Sequence, residues 1–377
     1  MASIRLAALE AYAFRVPIET PIRVAFGTFR DRPFVLVRAI DEDGVEGWGE
    51  AWCNWPAVGA EHRARLAVDL GERLIGRSFA SPEEAFLQLS AELEVLVLQT
   101  GEVGPIAQAV AGIDIAIADL AARKAGLPLN RFLGGAAVES VPVYATGINP
   151  DAPEIFAEAR RREGHTAFKL KIGFGRDLDL RNLRALRFTL GPEAVLMTDA
   201  NQSFGRDAAI EIAETAGDLG LLWLEEPLRI DAPADDWKAV AAASPIPLAG
   251  GENLRGRDLD DAVAGDILRF IQPDITKWGG ISGNLRVAQA AVSGGKAFCP
   301  HVFGGGVALL ASLHLLAAVG GEGLLELDCH PNAGRELVVG SALPLTEGRV
   351  PVPLGPGIGV TPNLTILDRY RTWPPSN

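Results

Sequence analysis

Three acids mark where this chain could do chemistry. Asp199, Glu225 and Glu252 each follow a short apolar run and stand roughly 26 and 27 residues apart by their numbers. That interval is about one strand plus one helix of a (β/α)₈ barrel, a fold that gathers functional groups at the C-terminal rim of its strands. Three carboxylates brought to one rim repel one another unless a cation sits among them. Oxygen-only donors suit Mg²⁺, with waters and substrate completing its shell, and the lack of His or Cys among the three argues against zinc. One rim acid alone would read as a helix cap or a solvated charge; three at successive strand ends read as a metal site. Of the neighbours Glu225 and Glu226 only one is expected to face the barrel centre, because side chains alternate along a strand.

Bases flank these acids. Lys169 and Lys171 lie two apart among Phe168, Leu170 and Ile172, so both face one side of a strand. Mutual repulsion and burial are expected to lower a Lys pKa toward neutrality, so that one lysine holds an anion and the other moves a proton. Asp274 and His301 end two later apolar runs. A carboxylate on one imidazole nitrogen fixes the tautomer and raises basicity at the other, which makes a second acid/base pair. Glu326 is a candidate neutral acid that donates a hydrogen bond to enolate charge. His165, His314 and His330 are less telling, although His330 follows the last strand and could face the rim. Asp114 and Asp119 read as structural. The parts suit one reaction class: a carboxylate substrate on Mg²⁺ loses its α-proton, and bases on two sides permit racemisation or elimination of a β-hydroxyl.

The elements that must position these groups alternate from Val141 onward. Candidate strands are 141–146, 167–172, 194–199, 221–225, 246–249, 270–273, 296–300 and 324–327, with helical stretches between them. Several are continuous apolar runs, as strands buried on both faces should be. Eight repeats close a barrel and remove its edges. A doubly wound sheet is the competing fold, but no Gly-rich dinucleotide fingerprint follows the first strand. Before the barrel come a β-meander through residue 50 and three helices at 60–74, 82–98 and 105–125, an α+β unit. The expected organisation is a capping unit over 1–125, a barrel over 140–330, and a Pro- and Gly-rich tail over 331–377 that packs back on the cap.

The chain has 377 residues, 48% hydrophobic and 22% charged, with a net charge of −13. That balance argues against nucleic acid as a partner. The N-terminal residues lack a signal-peptide pattern, no charge-free apolar run reaches membrane-spanning length, and Cys53, Cys299 and Cys329 read as buried free thiols. A cytoplasmic protein with no membrane partner is expected, and a symmetric homo-oligomer.

These residues resemble the enolase superfamily, and within it the mandelate racemase subgroup, over nearly the whole chain. Lys169-x-Lys171 looks like the family's base motif. Asp199-Ala200-Asn201, Glu225-Glu226-Pro227 and Gly251-Glu252-Asn253 look like its three metal-ligand segments. Asp274 and His301 look like the dyad that separates this subgroup from the muconate-lactonizing one, and Glu326 like the acid on the last strand. The resemblance implies a modified TIM barrel, (β/α)₇β, under an α+β cap, with Mg²⁺ as cofactor. It also implies substrate contacts from Lys169, Asn201 and Glu326, and specificity from two cap loops near 21–32 and 52–63. These hold Phe26, Trp52, Asn54 and Trp55 beside Arg23, Arg30, Arg32, Glu61, His62 and Arg63. Segments 144–147, 171–175 and 300–304 are more similar to acid-sugar dehydratases and cycloisomerases than to the racemase. The expected activity is therefore dehydration or cycloisomerisation of a sugar acid, with racemisation or epimerisation of a 2-hydroxy acid as the alternative. Either Lys171 or His301 can take the proton, depending on substrate stereochemistry. Trp278 departs from the smaller residue expected there and is read as narrowing the pocket.

Overall fold

The computed structural model describes residues 3–24, 27–136 and 138–375. The chain opens with a long antiparallel ribbon, β1 (Ile4–Val24) against β2 (Gly27–Asp41), which returns as β3 (Glu46–Ala51). Asp41 makes the second turn: its Oδ1 accepts from the amides of Asp43 and Val45, both at 2.9 Å. The β1–β2 register runs on from Ile22↔Phe29 to Val24↔Gly27. Much of the segment expected to be a loop near 21–32 is therefore paired strand, and Phe26 at its tip lies outside the described residues.

Three helices cover the ribbon: α1 (Gly59–Gly71), α2 (Pro82–Thr100) and α3 (Val103–Lys124), with a short β4 (Ser78–Phe79) paired to β1. Ser81 starts α2 as expected, its side chain accepting from Glu84 N at 3.2 Å, while Glu84 reaches back to Ala80 N at 2.6 Å. By length and composition α3 could cross a membrane, yet 78% of its apolar window is buried. It is the core helix of the cap and carries Asp114 and Asp119 on its buried turns.

After the short α4 (Leu129–Phe132) the barrel begins. Its elements are β5 (Ser140–Ile148), α5 (Pro153–Arg162), β6 (Ala167–Lys171), α6 (Arg176–Leu190), β7 (Val195–Asp199), α7 (Arg206–Thr215), β8 (Leu221–Glu225) and α8 (Ala234–Ala243). There follow β9 (Leu248–Gly250), α9 (Gly256–Ala264), β10 (Leu268–Ile271), α10 (Gly280–Ser293), β11 (Ala297–Phe298), α11 (Gly306–Val319) and β12 (Leu325–Asp328). All eight expected strands are present, parallel, in the order β11-β10-β9-β8-β7-β6-β5-β12, with seven helices between them. At the seam the backbones crowd: a Cβ on Gly323 would sit 1.8 Å from the Phe298 carbonyl oxygen. Across the same seam Glu326 Oε2 accepts from Val302 N at 2.9 Å. The fold is thus a (β/α)₇β barrel under an α+β cap. The tail completes the cap. After α12 (Ala333–Val339), β13 (Arg349–Pro351) pairs with the start of β5, and β14 (Arg371–Trp373) joins β1 through Ala13↔Trp373.

Buried carboxylates dock the two parts. Glu50, on β3, accepts from the amides of Gly305 and Ala308 (the latter at 2.9 Å) at the N-terminus of α11. Asp114 accepts from Ser282 N at 2.9 Å at the start of α10. Helix N-termini present unpaired N–H groups and a positive dipole end, so acids are the natural partners. Asp119 ties the cap to the tail, accepting from Trp48 N at 2.8 Å and Ile358 N at 2.7 Å. The structural reading of both α3 acids thereby holds.

Replacing Glu50 with Ala strands two buried amides and should lower the unfolding free energy by roughly 3 kcal/mol, measured by urea denaturation. Burial pushes the Glu50 carboxyl from 4.5 up to about 7, and the amides of Ala308 and Gly305 offset only part of this. The native state therefore holds this proton longer than the unfolded state. Stability from this group falls as pH rises from about 4.5 to about 7 and is flat outside that window. Glu50→Gln removes the titration, so wild type should lose stability relative to the variant across that window. A pH-independent difference would contradict the assignment.

Candidate active site

Strand alternation builds the rim. On β6, Phe168 and Leu170 pack outward against the helices, while Ala167, Lys169 and Lys171 face the barrel axis. Lys171, Asp199 and Glu225 are register partners on β6, β7 and β8 and so end at one level. Glu252 and Asp274 follow β9 and β10, His301 follows β11, and Glu326 is on β12.

The lysines and acids converge. Lys169, 1% exposed, donates to both oxygens of Glu225 at 2.8 and 2.9 Å and pairs with Glu326 at 3.0 Å and Asp199 at 3.7 Å. Lys171 donates to Asp199 at 2.5 Å and to Asn201 Oδ1 at 3.0 Å. His301 bridges two acids: its Nδ1 lies 2.8 Å from Asp274 Oδ2 and its Nε2 2.6 Å from Glu252 Oε2. Thr276 holds Asp274 from the other side, donating its amide at 2.8 Å and its hydroxyl at 2.6 Å.

The lysines are not depressed toward neutrality. Burial lowers Lys171, but Asp199 above all outweighs it, and the net direction is up. Lys169 moves well up for the same reason, with Glu225 and Glu326 as the chief partners. The expectation of mutual repulsion counted two cations and not the acids around them. His301 also rises well above its usual value: burial opposes the charge, while Glu252, Glu326 and Asp274 more than compensate. Glu326, read from sequence as a hydrogen-bond donor, instead accepts from Val302 N and pairs with Lys169.

The expectation that only one of Glu225 and Glu226 would reach the centre is also corrected. The Glu226 φ of 38° breaks strand alternation. Its side chain is 1% exposed, accepting from Gln202 at 3.0 Å and from Asn253 at 3.0 and 3.1 Å. The rim thus holds six carboxylates (Asp199, Glu225, Glu226, Glu252, Asp274, Glu326) against three lysines, counting Lys277, and His301. With all six carboxylates ionised and His301 protonated, two negative charges would remain in excess. Burial and repulsion from Asp199 push Glu225 to about 7; burial and repulsion from Glu252 push Glu226 to about 8. A hard divalent cation fits the donor chemistry and the charge excess. Among the described residues no three acidic, His or Cys side chains already stand in ligating arrangement, because Asp199, Glu225 and Glu252 are turned to Lys171, Lys169 and His301.

A cavity of about 80 Å³ brings Lys171, His301, Asn201, Glu252 and Glu326 together beneath Trp52, Asn54 and Trp55. His330 lines it too, its Nε2 donating to Gly147 O at 2.7 Å. Lys277, missed in the sequence reading, lies 3.5 Å from Glu252 and 5.1 Å over the Trp52 ring. Its spacing of three from Asp274 was the available signal. The cap clips down here: Trp52 N donates to Thr276 O at 3.2 Å, and Asn54 Nδ2 to Phe303 O at 2.9 Å. Asn54 therefore lines the cavity with one of its two amide N–H groups engaged. Several cap-loop polar groups are structural instead. Arg32 is buried against Asp328, Arg63 bonds Gln108 at 2.8 Å, and Glu61 pairs with Arg15 at 3.0 Å. Trp278 does not narrow this cavity. It lines an outer one of about 770 Å³, which shares Trp52, Trp55, Asn201, Glu252 and Lys277 with the inner one.

A capping sheet over a (β/α)₇β barrel with acids, lysines and a His–Asp pair at its mouth defines the class. The family models agree: residues 8–134 match the mandelate racemase / muconate lactonizing enzyme N-terminal domain, and residues 154–366 the enolase C-terminal domain-like model. The chain belongs to the mandelate racemase/muconate lactonizing enzyme family of the enolase superfamily and is an enzyme. It is 34% identical to the D-galactarolactone cycloisomerase of Agrobacterium fabrum, over 97% of this chain and 99% of that one. It is 31% identical to the L-talarate/galactarate dehydratase of Salmonella typhimurium, over 95% and 88%. A solved mandelate racemase/muconate lactonizing enzyme from Bordetella bronchiseptica is 48% identical, with a TM-score of 0.91 over 97% of this chain and 99% of that one. A Bradyrhizobium enolase solved with magnesium and mandelic acid is 28% identical, with a TM-score of 0.84 over 99% of each. Other relatives are racemases.

Proposed function

We propose that this enzyme removes the proton α to the carboxylate of a sugar acid, with Mg²⁺ held by Asp199, Glu225 and Glu252. Lys171 and the His301–Asp274 pair move the protons. The observation that carries this reading is the meeting of Lys171 and His301 in one cavity with Glu252, Glu326 and Asn201. The relatives named above support a sugar acid, and the aromatic side chains of Trp52, Trp55 and Phe29 at the cavity suit the apolar face of a sugar.

When bound, Mg²⁺ supplies positive charge to the substrate carboxylate and the developing enolate. Lys169 adds a fixed positive charge at the same rim. Asp274 holds the Nδ1–H of His301, and Nε2, which meets Glu252 in this structure, is released toward the cavity when Glu252 holds the metal; Asp274 then remains as the counter-charge that favours the protonated imidazole an acid requires. Lys171 becomes a base once Asp199 no longer serves as its counter-ion. In dehydration the base takes the α-proton, the bond from the β-carbon to its hydroxyl oxygen breaks, and the acid protonates the departing oxygen. Water leaves, and the enol left behind tautomerises to a 2-keto acid. In cycloisomerisation the departing oxygen belongs to a ring and stays tethered. The same two groups can pass a proton from one face of the α-carbon to the other. Racemisation or epimerisation is therefore the second reading, favoured by the racemases among the relatives.

Added Mg²⁺ should raise thermal stability, by about 2.7 kcal/mol at one hundred times its dissociation constant, and EDTA should reverse this. Glu252→Gln should blunt the response. No shift in the wild type would remove the metal from the reading. A set of aldonic and aldaric acids and their lactones, incubated in D₂O with Mg²⁺ and followed by proton NMR, tests the reaction. A keto acid that disappears in His301→Asn is the expected result for a dehydratase. Deuterium at the α-carbon without net product points to the racemase reading. An isomer of unchanged mass with an opened or closed ring points to cycloisomerisation.

A further inference from the structure

Below the rim lies a polar contact that the proposed reaction does not use. Trp223 stands two residues before Glu225 on β8 and so faces the same way, into the barrel. Its indole Nε1 donates to Glu225 Oε2 at 3.1 Å, and the amide of Gln272 donates to that same oxygen at 2.8 Å. Lys169 reaches both oxygens, so Oε2 has three donors and Oε1 has one.

Packing holds one neutral donor, and the backbone anchors the other. The Trp223 ring, fully buried, is wedged between Tyr144 (centroids 5.3 Å apart, edge-on) and Phe270 (5.0 Å). Gln272, 1% exposed, is anchored through its backbone N–H, which donates to Gly250 O at 2.8 Å, and its side-chain Oε1 has no hydrogen-bond partner among the described residues, so Glu225 is the side chain's one polar contact there. Close to it runs Gly251 at φ +135°, where a Cβ would come within 3.0 Å of Gln272 N. Two buried donors on one carboxylate oxygen, one of them wedged by its ring neighbours, restrict the plane of the group and leave the other oxygen to be offered outward.

We propose that Trp223 and Gln272 are positioning residues for Glu225: they hold its Oε2 from below so that Oε1 is presented to a divalent cation at the rim. This rests on the reading of Glu225 as a metal ligand. It adds that ligand orientation is set by neutral donors on β8 and just past β10, beneath the charged cluster.

The test is Mg²⁺ binding by calorimetry, with melting temperature in EDTA as the control for packing, on wild type, Glu225→Gln, Trp223→Phe and Gln272→Met. Gln272→Met keeps the length of the side chain without its donor, and carries the test alone if Trp223→Phe does not fold. The expected result is a dissociation constant raised about 10- to 100-fold in Trp223→Phe and Gln272→Met. Glu225→Gln should weaken binding further still. A role confined to filling the barrel would lower the melting temperature in EDTA and leave Mg²⁺ affinity alone. If Glu225→Gln weakens binding but Gln272→Met and Trp223→Phe match wild type, the positioning role is overturned while the metal reading stands. If wild type does not bind Mg²⁺, or Glu225→Gln binds it as wild type does, both fall.

Discussion

Uncompensated negative charge at the barrel mouth is the constraint the rest of the site answers to. Six carboxylates are brought within reach of one another, most of them almost fully buried. Isolated buried charges are costly, so each must find a counter-charge, a set of donors or a proton. The structure uses all three. Asp199 and Glu225 take the lysines, Glu252 and Asp274 take His301, Glu326 takes Lys169 and an amide, and Glu226 takes two side-chain amides. Burial first, and then repulsion from Asp199 and Glu252, raises the carboxyls of Glu225 and Glu226, and positive charge at the rim stays short of negative. The same shortage gives the proposed cofactor its place and keeps Lys171 and His301 charged in its absence.

The cap depends on the same kind of interaction at a distance from the rim. Glu50 and Asp114 end at the N-termini of α11 and α10, the helices that flank β11. The loop after β11 carries His301 and ends at α11, so the Glu50 contact fixes both the cap and one end of that loop. Asn54 closes on the same loop through Phe303 O, and Trp52 on the loop after β10 through Thr276 O. The lid over the cavity is therefore positioned by backbone contacts to the two loops that hold Asp274 and His301. A shift of the cap and a shift of the acid/base pair are coupled mechanically.

Much of this was legible because period and spacing are local properties. Eight apolar runs and the acids at their ends located all eight strands, and the two-residue spacing of Lys169 and Lys171 placed both on one face. What escaped depends on long-range partners. The lysine pKa direction required Asp199, Glu225 and Glu326, which lie on other strands. Glu226 escaped the alternation rule through a single left-handed residue. Arg32 read as a substrate group until Asp328, nearly three hundred residues on, proved to be its partner. Lys277 offered only its spacing from Asp274, and its contacts to Glu252 and to the Trp52 ring that the cap lays beside it are long-range.

The two cavities bear on how a substrate would be sorted. The inner one is small, and five of its wall residues also face the larger outer one. Lys277 stands at that shared wall, joined to Glu252 on the rim and to Trp52 on the cap. A carboxylate at the rim and an extended polar chain in the outer cavity would both pass this residue. The acid at the rim and the aromatic surface of the cap are thus joined through one cation. That coupling exists only when the cap is docked, because Trp52 and Lys277 come from different parts of the fold and meet only there.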